Sequence, residues 1–234
     1  MVESIDAGPS LRAAPFGPGM RDAVRLLSPR QRSQIASIAT CVEMPGRTIV
    51  CREGSSAQSV FIVTSGVVKM FRDLPSGKRR VLGFLFADDV FGLAQNGHYD
   101  NTVQTITPVT LYRMRVSTLA DTLRRDAELT FQFLCKVTHE LRRSLRHNVI
   151  IARRDAVGRV TMFLRVLEQN GLLEDSRIDI PMSRSDVANY LGLSLESVSR
   201  ALGRLERSRI IAYEGRHGIR VVDRNRFDKI LSAL

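Results

Sequence analysis

Hydrophobic and polar residues follow short alternating runs through the first half of the chain and a helical period through much of the second half. Between Cys41 and Met114 the runs are rich in Val, Ile, Phe and Thr, with glycine or proline between them. The segments RTIVCREG, SVFIVTSGVVKMFRD and TVQTITPVTLYRM predict strands. Short strands with regular breaks are typical of a small antiparallel β-barrel or sandwich. Ahead of them, a helix is predicted over Ser28–Ala39, with Ser28 as its N-cap and Pro29 in its first turn.

From Val116 onward the pattern is helical, and one apolar stripe predicts a long coiled-coil helix. Its members recur at spacings of three and four residues; they are Phe131, Leu134, Thr138, Leu141, Leu145, Asn148 and Ala152. A single helix could bury this stripe against its own domain. The polar Thr138 and Asn148 favour a dimer seam instead, because polar residues in a seam fix the register of a coiled coil. We therefore expect a homodimer, with a hinge after the helix at Ala152–Gly158 and a further amphipathic helix that ends at Asn170-Gly171.

The stretch MSRSDVANYLGLSLESVSRALGRLERSRII predicts two helices packed across a sharp turn. Ser183 caps the first helix, and Asp186 has the position of a capping-box acid. Gly192 can adopt the positive φ that the turn requires, and Val198 supplies the apolar contact between the helices. This spacing is typical of a helix-turn-helix, with the second helix expected over Ser194–Arg209.

One face near the start of the second helix carries side chains suited to base edges. Its members are Leu195, Glu196, Ser199 and Arg200. Arginine matches the acceptors of guanine, glutamate accepts from the cytosine amino group, serine bonds either kind of base, and an apolar side chain contacts the thymine methyl. In a helix-turn-helix these N-terminal residues enter the major groove. The alternative is that Glu196 and Arg200 form an ordinary surface ion pair.

Polar residues around the motif are candidates for contacts with DNA phosphates. They are Ser183, Arg184, Ser194, Ser197, Arg204, Arg207, Arg216 and His217. The last two lie at the tip of a predicted hairpin in the segment IIAYEGRHGIRVVD. The chain has 35 Lys and Arg against 24 Asp and Glu, a net charge of +11. This balance favours an anionic partner, either nucleic acid or a membrane surface, and the motif indicates double-stranded DNA.

Other features limit the compartment and the chemistry. No apolar run approaches the roughly 20 residues of a membrane span, so we expect no membrane partner. Residues 1–27 have no signal-peptide core and predict a flexible arm. The three distant cysteines, Cys41, Cys51 and Cys135, predict a reducing, cytoplasmic setting without disulfides. We find no catalytic motif and no metal-ligand spacing, and therefore expect neither an enzyme nor a bound cofactor or metal.

The segment DVANYLGLSLESVSRALGRLERSRII resembles the DNA-binding motif of the CRP/FNR superfamily of bacterial transcription regulators. Its Glu196, Ser199 and Arg200 match the FNR branch. The segment MPGRTIVCREGSSAQSVFIVTSGVVKMF resembles the β-roll of the same family. The resemblance covers residues 28–234 and implies an α+β fold. The implied units are a cyclic-nucleotide-binding-type β-roll with flanking helices at 28–127, a dimerisation helix at 128–153 and a winged helix-turn-helix at 154–234.

The chain departs from the family pattern in the part of the β-roll that binds the effector in other members. Members that bind cyclic nucleotides carry a glutamate directly after a glycine and, further on, an arginine followed by serine or threonine. Here Leu93 follows Gly92, and Asp100-Asn101 stand in place of the arginine pair. An aspartate repels a cyclic phosphate, so we do not expect cyclic AMP to bind. Residues 1–40 contain no cysteine, and three distant thiols cannot supply the four ligands of an iron–sulfur cluster.

The resemblance is therefore to the FixK-type subgroup, and it implies an activator of genes for microaerobic respiration and nitrogen fixation. Its expected site is a palindrome close to TTGA-N6-TCAA, and RNA polymerase is the implied partner. The exposed segments DLPSGKRR (73–80) and QNGLLEDSR (169–177) are candidates for the polymerase contact, and equally for ordinary loops. We expect activity without an effector. The alternative is a sensor whose β-roll binds haem or a nucleotide before the protein binds DNA.

Overall fold

The computed structural model describes residues 28–153, 155–174, 176–215 and 217–232. The predicted arm at 1–27 and the candidate Arg216 lie outside the described residues. The described chain begins with α1 (Pro29–Ile38). Gln31 donates its backbone N–H to Ser28 Oγ at 3.3 Å, and Ser28 N–H donates to Gln31 Oε1 at 2.8 Å. This reciprocal capping box confirms the predicted start of the helix.

Two four-stranded antiparallel sheets form a β-roll, with strand orders β1-β8-β3-β6 and β2-β7-β4-β5. The strands are β1 (Thr40–Met44), β2 (Ile49–Cys51), β3 (Ser59–Ser65), β4 (Val68–Asp73), β5 (Arg79–Leu85), β6 (Val90–Phe91), β7 (Thr102–Thr105) and β8 (Val109–Arg115). The expectation of a small antiparallel β structure is confirmed. The three predicted segments cover β2, β3, β4, β7 and β8 but not β1, β5 or β6. In β5, two leading arginines and the central Gly83 break the alternation of apolar and polar residues.

Apolar side chains from both sheets fill the interior of the β-roll. They are Cys51, Phe61, Val63, Val68, Leu85, Phe91, Tyr99, Val103, Val109 and Leu111. The rings of Phe61 and Phe91 stack with their centroids 5.0 Å apart. The Tyr99 hydroxyl donates to the Ser59 carbonyl at 2.9 Å, so its polar end is satisfied within the roll.

Two helices follow the β-roll, α2 (Val116–Arg125) and α3 (Ala127–Ala152). Asp126 caps α3, and its carboxylate accepts from the Leu129 N–H at 2.8 Å. Leu129, Phe133 and Ile150 are buried along one side of α3. The predicted long helix is present, and it ends within the predicted hinge.

A cluster of charged side chains joins α3 to the turn between β5 and β6. The buried Asp89 accepts from Arg143, and Lys136 Nζ lies 3.5 Å from its Oδ1. Arg143 also donates to the Phe84 carbonyl at 2.7 Å. Burial alone would raise the pKa of Asp89, but Arg143 and Lys136 hold it below its ordinary value. Burial raises the pKa of the neighbouring Glu140 to about 7, with Asp89 adding to that increase and Arg143 opposing it.

The C-terminal part begins after the break at Arg153 and contains the predicted amphipathic helix, turn helices and hairpin. Its elements are α4 (Ala156–Gln169), β9 (Leu173–Glu174), β10 (Arg177–Asp179), α5 (Arg184–Leu191), α6 (Leu195–Arg207), β11 (Ile211–Glu214), β12 (Gly218–Val221) and α7 (Arg224–Ser232). Its four strands form one sheet in the order β11-β12-β10-β9. The sequence predicted neither β9 and β10, which have only a few residues each, nor α7. None of the described helices combines the length and the apolar character needed to cross a membrane.

A buried carboxylate ties α4 to α7. Glu168 is 5% exposed and accepts two hydrogen bonds from Arg224, at 2.7 and 3.1 Å. Arg165 donates a third at 3.0 Å. Charge-assisted bonds of this kind offset the cost of burying the carboxylate, and they attach α7 to α4.

Candidate nucleic-acid interface

The helix-turn-helix is formed by α5 and α6. Asp186 donates its N–H to Ser183 Oγ at 3.0 Å, which confirms the predicted cap. The Asp186 carboxylate accepts from the same hydroxyl at 2.8 Å. Gly192 has φ +63°, as the sharp turn requires, and Val198 is fully buried. Residue types at this spacing therefore fold as the sequence predicted.

The second helix, α6, is two residues shorter at its C-terminal end than expected. Ser194 caps its start by accepting from the Ser197 N–H at 3.0 Å. It ends at Arg207 because Arg209 adopts a left-handed φ of +54°. Its buried face is formed by the expected Val198, Leu202 and Leu205, together with Ala201.

All of the predicted base-contacting residues lie on the exposed face of α6; they are Leu195, Glu196, Ser199 and Arg200. Arg200 is paired with Glu196 one turn earlier, and Ser199 Oγ donates to the Leu195 carbonyl at 3.0 Å. The surface ion pair considered as the alternative is therefore present. An exposed i,i+4 pair contributes about 0.3–0.5 kcal/mol, whereas a bidentate arginine–guanine contact discriminates by about 1–3 kcal/mol. The pair is too weak to keep Arg200 from a base.

The candidates for phosphate contacts occupy separate parts of the motif. Ser183 and Ser194 cap the N-termini of α5 and α6, where backbone N–H groups and the helix dipole favour anions. Arg204 and Arg207 lie about 14 and 18 Å further along α6 than Leu195, at a rise of 1.5 Å per residue. These arginines are exposed, as are both capping serines and His217; Arg184 and Ser197 are half-buried.

The wing, formed by β11 and β12, lies beside the start of α5. The guanidinium carbon of Arg184 is 5.8 Å from the centre of the Tyr213 ring on β11. Glu214 and Arg220 pair across the wing at 2.8 Å. The first turn of α5 is therefore in contact with β11.

Several residues outside the motif hold α5 in place, and the sequence did not identify them. His147 of α3 stacks on Tyr190 with ring centroids 4.0 Å apart, and donates to the Tyr190 carbonyl at 2.8 Å. Arg159 of α4 donates to the Leu191 carbonyl at 2.9 Å. Lys69 of β4 lies 2.6 Å from Asp186. Each pair is far apart in the chain, so no spacing rule could have connected them.

The predicted seam residues of α3 all lie on its exposed side; they are Phe131, Leu134, Thr138, Leu141, Leu145, Asn148 and Ala152. Phe131 and Leu134 are 61% and 60% exposed, and Leu141 and Leu145 are 59% and 55% exposed. Val137 and Val149, which lie outside the predicted stripe, widen the apolar face. An exposed apolar stripe of this length marks an interaction surface.

Two regions bear on ligand binding. At the positions discussed for cyclic nucleotides, Leu93 is 47% exposed, and the Asp100 carbonyl accepts from Arg72 Nε at 3.2 Å. Arg72 also pairs with Glu53 at 3.0 Å. Elsewhere, a cavity of about 370 Å³ lies where β5, α3, α4 and α5 meet. Its lining includes Arg80, Glu140, Ser144, His147 and Tyr190.

Comparison with known proteins agrees with both halves of this architecture. Residues 158–230 match the model of the Crp-like helix-turn-helix domain, and residues 41–126 match that of the cyclic nucleotide-binding domain. The chain is 30% identical to the nitrogen fixation regulation protein FixK of Bradyrhizobium diazoefficiens, over 80% of each chain. It is 27% identical to the transcriptional activatory protein AadR of Rhodopseudomonas palustris, over 88% of this chain and 87% of that one. The solved structure of FixK2 from Bradyrhizobium japonicum superposes with a TM-score of 0.78 at 28% identity, covering 84% of this chain and 99% of that one.

Proposed function

We propose a specific regulatory role for this chain from the premise that it belongs to the CRP/FNR family of DNA-binding transcription regulators, as a FixK-type member. In this proposal, a homodimer binds a palindrome close to TTGA-N6-TCAA and activates transcription. The observation that carries it is the exposed row of Glu196, Ser199 and Arg200 on a helix whose other face is buried against α4 and α5.

Base recognition follows from the chemistry of that row. Arg200 can donate in bidentate fashion to guanine, and Glu196 can accept from cytosine on the opposite strand. Leu195 is 52% exposed at the first position of α6 and can contact a thymine methyl. Together these groups fit the TTGA half-site. Ser183, Arg184, Ser194, Ser197, Arg204, Arg207, Arg216 and His217 remain our candidates for phosphate contacts.

A palindrome requires two reading helices, and the exposed face of α3 supplies the means of pairing them. Two copies of this face would bury the large apolar side chains that are now exposed, and would bring Thr138 and Asn148 into the seam. Polar residues at such positions select one register. The two α6 helices would then lie about 34 Å apart, one turn of DNA. In this proposal, residues 28–127 form the β-roll domain, 128–153 the dimerisation helix and 154–234 the DNA-binding domain.

Independence from an effector is supported by the packed interior of the β-roll. The stacked Phe61 and Phe91 and the buried Tyr99 occupy the space between its sheets. Asp100 and Leu93 supply no cation for a cyclic phosphate. The dimer is therefore proposed to bind DNA without a ligand, and its abundance would set its activity.

The cavity beside α3 favours a second candidate, a ligand-gated regulator. Its volume of about 370 Å³ is within the range of about 300–1,000 Å³ typical of small-molecule sites. Haem or a nucleotide bound there would touch the β-roll, the dimerisation helix and α5 together. A colourless, nucleotide-free preparation that binds its DNA site tightly would rule this candidate out.

The relatives suggest the regulated genes and the remaining partner. The names of FixK and AadR describe nitrogen fixation regulation and transcriptional activation. We infer that this chain activates microaerobic or nitrogen-fixation genes in the cytoplasm, and that it contacts RNA polymerase. The segments 73–80 and 169–177 are the proposed contact surfaces. A transcription regulator of this kind needs no catalytic residue, cofactor or metal.

Selection from a randomised duplex pool tests the proposed site without assuming it. Purified protein, with no ligand added, is used to enrich duplexes through several rounds, and the survivors are sequenced. We expect an inverted repeat with TTGA and TCAA arms six base pairs apart. Enrichment of an unrelated sequence would contradict the assigned half-site, and enrichment of none would favour the ligand-gated candidate.

A further inference from the structure

A salt bridge crosses from the β-roll to the reading motif. Lys69 Nζ lies 2.6 Å from Asp186 Oδ1, and the two residues are 117 positions apart in the sequence. Their side chains are only 12% and 14% exposed. This low exposure distinguishes the pair from the surface ion pair of Glu196 and Arg200, whose side chains are 69% and 77% exposed. A shielded pair is screened much less by salt than an exposed one.

The rigidity of β4 fixes where Lys69 is placed. On one side, β4 pairs with β7, where Lys69 is opposite Gln104. On the other it pairs with β5, where Lys69 is opposite Phe84. The backbone of Lys69 is thus held by neighbouring strands on both sides. A charge held in this way constrains the position of its partner.

The partner, Asp186, belongs to the cap of α5. One carboxylate oxygen is paired with Lys69 Nζ, and the other accepts a hydrogen bond from Ser183 Oγ at 2.8 Å. The same hydroxyl accepts from the Asp186 N–H at 3.0 Å. Lys69, Asp186 and Ser183 therefore form one chain of contacts from the sheet to the first turn of α5, where we place a DNA phosphate.

Electrostatics give this contact a second effect. An aspartate in the first turn of α5 favours the helix but repels a phosphate at the same N-terminus. Lys69 neutralises that carboxylate from the protein side, so the turn can approach DNA. The end of α5 is fixed separately, through Tyr190 and Leu191, so loss of Lys69 would release chiefly the end that faces DNA.

We propose that Lys69, although it lies in the β-roll, is a positioning residue for DNA recognition: through Asp186 it sets the orientation of Ser183 and of the first turn of α5 relative to α6. This inference rests on the proposed function only in requiring that the protein bind DNA selectively. It does not depend on the TTGA half-site.

The test compares Lys69→Gln with Arg52→Gln, which removes the same charge from an exposed position of the β-roll. Affinities are measured by fluorescence anisotropy for the duplex that the wild type itself selects from a random pool, and for a scrambled duplex. We expect Lys69→Gln to bind the selected duplex about tenfold more weakly than Arg52→Gln does, within the range of coupling between contacting residues. Part of this loss should extend to the scrambled duplex, because Ser183 and the uncovered Asp186 carboxylate face a phosphate. Equal selective affinities of the two variants would overturn the proposal. Because the duplex is chosen by the wild type, a wrong half-site assignment leaves this comparison intact.

A double-mutant cycle separates positioning from general loss of structure. Lys69→Gln and Asp186→Asn break the same bridge, so the double variant should lose no more selective affinity than the weaker-binding single variant. Lys69→Arg, which retains the charge, should recover most of it. Multiplied losses in the double variant, or no recovery with arginine, would contradict the assignment. If Lys69→Gln does not fold, Asp186→Asn and Lys69→Arg are each compared with the wild type: Asp186→Asn, which breaks the bridge, should weaken selective binding, and Lys69→Arg, which keeps it, should not. Equal selective affinities of these two variants would contradict the assignment.

Discussion

The guanidinium of Arg200 is paired with the carboxylate of Glu196 on the exposed face of α6, one helical turn apart. Both side chains are more than two-thirds exposed, so the pair is weak and opens at small cost. In the complex the pair would open, Arg200 would donate to a guanine, and Glu196 would accept from a cytosine.

Arg200→Ala should relax specificity rather than abolish binding. We expect a loss of about 1–3 kcal/mol per half-site on the preferred duplex, and a much smaller loss on a duplex with the contacted base pair substituted. Competition binding with a panel of single-base variants checks this. A uniform loss on every duplex would assign Arg200 to the phosphate backbone instead.

Arg207→Ala should give the opposite pattern. Its exposed position at the far end of α6 suits a phosphate contact, which weakens binding to all sequences equally. The slope of log K against log salt concentration should fall in magnitude by about 1 per half-site. Titrations at several salt concentrations measure it, and a slope equal to that of the wild type would remove Arg207 from the interface.

Leu141→Asp should convert the protein to monomers. The leucine is 59% exposed on the apolar face of α3, so the folded monomer tolerates the change while a paired helix does not. Arg142→Asp, on the next residue outside the proposed seam, is the control and should remain dimeric. Sedimentation equilibrium distinguishes the two states. A dimeric Leu141→Asp protein with unchanged helicity would show that the chains pair elsewhere.

Glu140→Gln should change how stability depends on pH. The folded-state pKa of Glu140 is about 7, above its ordinary value of 4.5, and the main cause is burial. A raised pKa stabilises the fold below the ordinary value, and that contribution is lost as pH rises through about 7. As the pH rises from about 5 to 8, the free energy of unfolding of the variant should therefore increase by roughly 2 kcal/mol relative to that of the wild type.

Chemical denaturation at the two pH values measures this difference, with Glu128→Gln on an exposed position of the same helix as the control. Burial lowers the pKa values of His139 and His147, and their contribution to stability is lost as pH falls. That trend is common to both proteins and cancels in the comparison. A wild type and a Glu140→Gln variant with parallel pH profiles would show that Glu140 titrates at an ordinary pKa.

Glu168→Ala should destabilise the C-terminal domain. The change leaves Arg165 and Arg224 without the carboxylate that accepts three of their hydrogen bonds. We expect a loss of about 3 kcal/mol, at the low end for a broken buried pair because Arg224 is 46% exposed. Glu206→Ala, exposed on α6, should cost less than about 0.5 kcal/mol. Similar unfolding midpoints for both variants would contradict this account of the bridge.

The order of the elements and the reading motif could be predicted from the sequence because their signals are local. Ser183, Gly192 and Val198 lie within one stretch, and their roles follow from capping, backbone conformation and apolar spacing. The stripe on α3 is equally local. Its exposure could be anticipated, although Val137 and Val149 fall outside a strict heptad and were missed.

What the sequence did not give was the attachment of the motif to the rest of the protein. Lys69 lies in a strand where it has the ordinary pattern of an outward-facing polar residue, and Asp186 has the ordinary role of a capping acid. Their contact, and the stacking of His147 on Tyr190, depend on how three distant elements pack. The cluster of Asp89, Lys136 and Arg143 is hidden for the same reason.

Ligand-independent recognition of the palindrome is tested by a fluorescence-anisotropy titration of purified protein, with nothing added, against a TTGA-N6-TCAA duplex and a scrambled duplex at two salt concentrations. We expect tight binding to the palindrome and a preference over the scrambled duplex of about 10³-fold or more, retained at the higher salt. Weak binding of both duplexes that disappears with salt would reflect phosphate contacts alone, and would contradict a ligand-independent, sequence-specific regulator.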